Sequence, residues 1–379
     1  MTHKHLTIIA LFLFFGKNAS AQTALNRLEK VAEGLYFMYY DSSKSKSTVL
    51  EMSDGLALIE VPIRDEGGGA THLKDHSAGA EKALRTLRKH FPKKPLRYLL
   101  HSHWHPHSMS SMNPFLRENV QIFSTQTNFD IVRPFVDSTL LARKTGLVTM
   151  VTTDTLRIGD VTNPIVIHRF LQKDFTSTPT EEYLYFYLPR YNYLHCGCMF
   201  FKWEGELYKG REIRTGRVEN LYKLLKDRGI SPTHLIRLVE KNGLLPFQNL
   251  ENIVQNGISS GEIYKPYLEM PDSVLLQKLD DVAANAIRDG VPPRVFNTLA
   301  YQFSAKKQPQ RALAFAKLQT LLDPSDPNAW DSLGEMYWFA GEQVLARHYG
   351  KQARKIDPAF VEGGEEAWQK NWEEAQKKG

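Results

Sequence analysis

A block of residues in the last third of the chain recurs 34 positions later with its chemistry intact. Leu299, Ala300, Phe303, Ala312, Phe315 and the pair Asp323-Pro324 return as Leu333, Gly334, Tyr337, Ala346, Tyr349 and Asp357-Pro358. Repetition at this period marks a unit of two helices whose small and aromatic residues meet at the contact. One such unit cannot bury its own apolar face, and two are too few for a free-standing stack. The repeats are therefore expected to pack on the rest of the chain. From about Pro266 onward everything reads as helix: Leu275 to Ile287 offers one more, and the Trp-rich stretch Glu365 to Ala375 offers a cap.

From Val31 to about Phe201 the pattern has a different period. The runs GLYFMYY, STVLEM, LALIEVP, LRYLLHS, VQIFST, PIVIHRF, EYLYFYLP and YNYLHCG are rich in β-branched and aromatic residues and are separated by turn residues. That is the pattern of strands. Two helices interrupt them: Ala83, Leu84, Leu87 and Phe91 share one face of Ala80 to Phe91, and Leu221, Leu224 and Leu225 share one face of Glu219 to Arg228. Strand runs joined by a few helices predict two sheets with helices packed outside. A length of 379 residues fits one large and one small domain.

The opening MTHKHLTIIALFLFFGKNASAQ sets Lys4 before an apolar run from Leu6 to Phe15, then Ala19, Ser20 and Ala21 before Gln22. That layout predicts a secretory signal peptide over 1–21, because the apolar run is too short to span a bilayer; an uncleaved anchor is the alternative. The mature chain is then expected to be secreted or periplasmic, with no membrane span after signal cleavage. Exported proteins usually pair their cysteines. Here Cys196 and Cys198 are the only two, and they stand too close for an unstrained bridge. The hydrophobic fraction of 42% and charged fraction of 24% are those of a globular protein. A net charge of +6, spread among interleaved acidic residues, argues for solubility and against a nucleic-acid partner.

The segment LRYLLHSHWHPHSMSS carries His101, His103, His105 and His107 at alternate positions just past an apolar strand. Imidazoles so spaced can project toward one point, and neutral imidazole is the commonest zinc ligand. A solvated histidine-rich loop is the competing reading.

Together with VAEGLYFMYY, SDGLALIE and the helix between, this segment resembles the opening half of metallo-β-lactamase-fold hydrolases. Their motif reads Thr-His-x-His-x-Asp-His followed by two glycines. In that alignment His103 and His105 match, His107 stands at the aspartate, Ser108 at the third histidine, and Ser110 and Ser111 at the glycines. A register begun at His101 puts His105 at the aspartate and Pro106 at the third histidine instead. The stretch STPTEEYLYFYLPRYNYLHCGCMFFK is similar to the family's second half. Ser177 stands where the next zinc histidine is expected, and Cys198 stands at the metal-binding carboxylate, where zinc β-lactamases of the cysteine-ligand subclass carry cysteine. In HLIRLVEKNG, Asn242 takes the place of the last histidine, and Glu60 falls where the family often has an aspartate supporting the metal histidines. The 34-residue recurrence, for its part, resembles the tetratricopeptide repeat. The two resemblances imply an α/β fold class: a signal peptide over 1–21, an αββα metallo-β-lactamase-like sandwich over 22–260, and a small all-α tetratricopeptide-like domain over 261–379.

The departures from the motif decide what the resemblance implies for function. Two-metal hydrolysis needs each ion held by about three protein ligands with one position open for water. Only His103, His105 and Cys198 keep ligand chemistry at ligand positions; His107 would make them a set for one zinc ion, and four protein ligands close the tetrahedron. Ser177 and Asn242 are weak oxygen donors, so a two-zinc centre is not expected. Three readings follow. The first is a degenerate, non-catalytic hydrolase homologue with a cleft for a small-molecule or peptide ligand. The second is a hydrolase with a single unusual zinc centre. The third is an interaction protein that captures a protein partner through its helical repeats, for which deletion of 272–379 should leave the first domain folded. Among the remaining residues, Glu60 reads as a metal-supporting carboxylate or a solvated strand end, and Cys196 as a small buried residue. Trp104 and the strand Tyr183 to Tyr187 read as cleft lining or core, and Gly67 to Gly69 as a loop near the site mouth.

Overall fold

The computed structural model describes residues 25–40, 46–62, 77–105, 108–109, 111–171, 179–200, 207–238, 243–358, 360 and 364–378. The signal-type segment, Gly67 to Gly69, Pro106, His107, Ser110, Ser177 and Asn242 lie outside the described residues.

Among the described residues the strand runs form two large sheets. The first takes β1 (Arg27–Ala32), β2 (Leu35–Tyr39), β3 (Lys46–Glu51), β4 (Leu56–Ile59), β5 (Leu96–Leu100), β6 (Gln121–Ser124) and β7 (Val148–Met150) in chain order. The second is ordered β15 (Leu244–Pro246), β14 (His234–Arg237), β11 (Tyr193–Gly197), β10 (Glu182–Leu188), β9 (Pro164–Leu171), β8 (Thr155–Gly159). Antiparallel hairpins start the first sheet, and parallel pairing takes over from β4 onward. A small third sheet joins β12 (Leu207–Tyr208), β13 (Arg211–Arg214) and β16 (Ile258–Ser259).

Alternation along the strands sorts side chains into three apolar layers. Val49, Leu58, Leu99 and Ile122 face outward, onto Ala83, Leu84 and Leu87 of α1 (Ser77–His90) and Phe115 and Leu116 of α2 (Asn113–Arg117). Their neighbours Leu50, Ile59, Leu100 and Phe123 face inward, onto Ile165, Ile167, Leu184, Phe186 and Ile236 of the second sheet. On that sheet's far face Tyr183, Tyr185, Leu194 and Leu235 pack with Val218, Leu221 and Leu225 of α5 (Gly216–Asp227) and Leu250 and Ile253 of α6 (Phe247–Asn256). The result is the expected helix–sheet–sheet–helix order. Short helices α3 (Gln126–Val132) and α4 (Ser138–Arg143) close the first face. Local signals agree with these elements: Thr215 caps α5 by accepting from the Val218 N–H, and α1 ends on Arg88, Lys89 and His90, which suit the negative end of its dipole.

The helical region comprises α7 (Ser260–Leu268), α8 (Asp272–Leu275), α9 (Leu279–Arg288), α10 (Arg294–Ala305), α11 (Pro309–Leu322), α12 (Pro327–Phe339), α13 (Gln343–Ile356) and α14 (Glu365–Lys378). The helix expected over Leu275 to Ile287 is α9, which begins at Leu279, with Leu275 closing the short α8. The recurrence has a structural counterpart: Phe303 stacks on Phe315 at 5.3 Å, and 34 positions on Tyr337 stacks on Tyr349 at 5.2 Å. Apolar contact does not stop at the helices. Ile213 of β13 and Ile258 of β16 share one core with Tyr267, Leu275, Phe296, Phe315 and Leu333, so the helices lean on the small sheet as expected. No helix among the described residues is long and apolar enough to cross a membrane.

Candidate functional site

Parallel pairing of β4 with β5 sets Ile59 beside Leu100, so the chain leaves both strands at the same end of the sheet. Glu60 follows β4 with φ 64° and gives its backbone N–H to the Leu100 carbonyl at 2.9 Å. A left-handed residue with a Cβ is disfavoured by about 1–2 kcal/mol. Here it turns the Glu60 carboxyl under the histidine segment, where it is fully buried. Oε1 accepts the Ser102 N–H at 3.1 Å, and Oε2 contacts the Ser108 hydroxyl. That hydroxyl also lies 3.0 Å from the His103 carbonyl oxygen. Ser108 has one proton to give, so both contacts form together when a protonated Glu60 donates to Ser108 and Ser108 donates to His103. The electrostatics agree: burial pushes the Glu60 carboxyl up to about 8, against the opposing pull of its bonds to Ser102 and Ser108.

The network continues to the imidazole. Ser102 Oγ lies 2.7 Å from His103 Nδ1 and 3.4 Å from Ser108 Oγ. The His103 ring is buried against Tyr183, centroids 5.1 Å apart, and against His105 at 4.7 Å. His105 is half-buried beside Trp104, and burial first, then the Arg217 charge, lowers its pKa to about 4. His101 is fully buried, and burial lowers it to about 4 as well.

Tyr183 joins this segment to the cysteines. Its hydroxyl accepts the Cys198 N–H at 2.7 Å and donates to the Cys196 carbonyl at 3.1 Å. Gly197 between them has φ 53°, and a Cβ there would come within 2.2 Å of the Tyr183 hydroxyl oxygen and 3.1 Å of Ser102 Oγ. Only glycine lets the hydroxyl sit inside the turn. Neither cysteine is in a disulfide among the described residues, and both are buried; Cys196 packs in the outer core, and Cys198 packs against Leu238.

The structure thus brings together Glu60, Ser108, His103 and His105, with Cys198 joined to them through Tyr183. Glu60 is a buried partner of the histidine segment and not a solvated strand end. Tyr183, Leu184, Tyr185 and Phe186 are core, and Trp104 packs on the first-sheet core from a partly exposed position. A zinc centre needs its donors around one point. Among the described residues no three His, Cys, Asp or Glu side chains gather in a way that could hold a metal ion. His107, Ser177 and Asn242 lie outside those residues, and the donors that are described do not by themselves fit a zinc site. Sequence reasoning passed over Ser102, Gly197 and the hydroxyl of Tyr183. A glycine between two buried cysteines, facing an aromatic strand, was the available signal.

A second polar group lies between the sheets nearby. Lys46, almost fully buried, donates to the Arg237 carbonyl at 2.6 Å, and Gly243 leaves room for its ammonium. The buried His195 ring is held neutral at a pKa of about 3, by burial first and by Lys46 second.

No protein-family model matches the chain, and no curated protein matches it. Among solved structures it is similar to a metallo-β-lactamase from Pontibacter korlensis at 14% identity, covering 60% of this chain and 97% of that one, with a TM-score of 0.43. It is similar to the metallo-β-lactamase FIM-1 from Pseudomonas aeruginosa in its mono-zinc form at 12% identity, covering 61% and 94%, with a TM-score of 0.43. It is also similar to the stereoselective inverting sec-alkylsulfatase Pisa1 from Pseudomonas sp. at 12% identity, covering 87% of this chain and 65% of that one, with a TM-score of 0.43.

Proposed function

We propose that the chain is an exported metallo-β-lactamase-superfamily protein whose zinc-hydrolase site has degenerated into a hydrogen-bonded floor. Its role in this reading is to bind a small-molecule or peptide ligand without two-zinc hydrolysis. One observation carries this reading: Ser108, aligned with the third histidine of the family motif, commits its hydroxyl to Glu60 and to the His103 carbonyl. A group placed there to hold a metal would present a free lone pair outward; Ser108 is buried and turned inward. Metal analysis and hydrolysis assays on untagged, exported protein test the proposal. Two zinc ions per chain with rapid turnover of lactams, thioesters or phosphodiesters would overturn it.

The close approach of His103 and His105 favours a second reading, a hydrolase with one zinc ion on His103, His105, His107 and Cys198. Comparison of zinc content between wild type and Cys198→Ala separates the two, since equal and negligible metal in both removes the second. The repeated aromatic stacking supports a tetratricopeptide-like tail that presents a surface to a protein partner.

A further inference from the structure

Trp368 of α14 is the largest fully buried side chain of the protein's described residues, and its seat is made by two glycines. A Cβ on Gly334 of α12 or Gly350 of α13 would come within 2.8 Å or 2.7 Å of the indole. Besides the ring contact of Trp368 with Trp338 of α12, centroids 6.1 Å apart, α14 and α12 meet through polar groups. Asp331 accepts the Gly364 N–H at 3.2 Å and the Trp368 indole N–H at 3.4 Å. One turn on, Glu335 accepts the Asn371 amide at 2.7 Å and the Tyr301 hydroxyl of α10. Two carboxyls four residues apart on one helix face repel each other when both are charged. Every direct donor to them is neutral, and among the described residues neither is in an ion pair. The other charges facing this contact are Arg354 of α13, which acts on Asp331, and the Arg347–Glu365 pair at 2.9 Å with Lys351 beside it.

We infer that α14 is an acid-tightened clasp: docked, it covers Asp331 and Glu335 with no cation paired to either, so docking is favoured while the two keep their protons and is opposed by lost hydration and mutual repulsion as both ionise. Burial first and Glu335 second push Asp331 up to about 7, and burial raises Glu335. Lifting α14 would return both to water and toward ordinary carboxylate values. The docked state therefore binds more protons than the open one. Docking is strongest below the ordinary carboxylate range, declines as pH rises toward about 7, and is flat above it.

Hydrogen exchange of the full chain, read by mass spectrometry at pH 5 and pH 8 and corrected for intrinsic exchange, tests this directly. Protection of residues 364–378 should fall at least about ten-fold between the two, the equivalent of one pKa unit, while α10 and α11 keep theirs. Asp331→Asn and Glu335→Gln should each remove most of that dependence, and Trp368→Ala should leave α14 open at both values. Equal wild-type protection of α14 at pH 5 and pH 8 overturns the clasp, with no need for any variant to fold. So does a fall that persists undiminished in the doubly neutral variant.

Discussion

Ser108 takes a hydrogen bond from the Glu60 carboxyl and gives one to the His103 carbonyl, and this is where single substitutions are most informative. Ser108→Ala leaves a buried carboxyl oxygen without its partner and should lower stability by about 1–3 kcal/mol, read as a lower urea midpoint. Glu60→Gln keeps the shape and the donor of a neutral carboxyl, so at pH 7 it should change stability by less than about 1 kcal/mol. A loss as large as that of Ser108→Ala would mean that Glu60 is ionised. Gly197→Ala drives a methyl into the Tyr183 hydroxyl at a positive φ; a cost of about 3 kcal/mol is expected, with faster reaction of Cys198 toward thiol reagents as the turn opens. At this scale the sequence was partly legible. His103, His105 and Cys198 could be named because their segments resemble the metallo-β-lactamase motif, the histidine spacing alone being shared with a solvated loop. The roles of Ser102 and Tyr183 depend on a left-handed Glu60 and a glycine turn that bring distant strands together, and no local pattern announces either.

Elements with a clear period were legible, and those too short to have one were not. The β3, β5, β9 and β10 runs and the α1 and α5 faces appear where expected because each repeats its apolar position several times. β7, β12 and β16 have three residues or fewer, and α2 to α4 are short; such pieces take their form from tertiary packing. His195 on β11 is neutral when folded, with its pKa lowered to about 3, and neither ring nitrogen has a hydrogen-bond partner among the described residues. A depressed imidazole adds stability that is present above the unfolded value of about 6.5 and is lost as pH falls toward the folded value. His195→Leu should therefore change stability little at pH 7 and should flatten the decline between pH 6.5 and 4. Glu60 and Asp331, both raised, act in the opposite sense, so the comparison with wild type isolates the imidazole. An unaltered acid slope in His195→Leu would contradict the assignment.

At the scale of the whole molecule, the helical region is joined to the small third sheet by a core that ignores the change from strands to helices. Ile213, Ile258, Ile263 and Tyr267 are covered by the helices that follow. Deletion of 272–379 should expose them and cause aggregation or early melting of the remainder, checked by size-exclusion chromatography and thermal unfolding. A fully folded, monomeric remainder would instead support the independent first domain that the sequence suggested. The αββα order was readable from strand runs and two amphipathic helices, whereas this shared core was not, because its strand contribution is a handful of isoleucines in a minor sheet. Function at this scale rests on whether the histidine segment works for a metal or for the fold. Zinc content by mass spectrometry on untagged, purified protein, paired with assays on lactams, thioesters and phosphodiesters, addresses that most directly. Fewer than two zinc ions per chain and no rapid hydrolysis are expected; two bound zinc ions with rapid turnover would contradict a histidine segment that serves the fold.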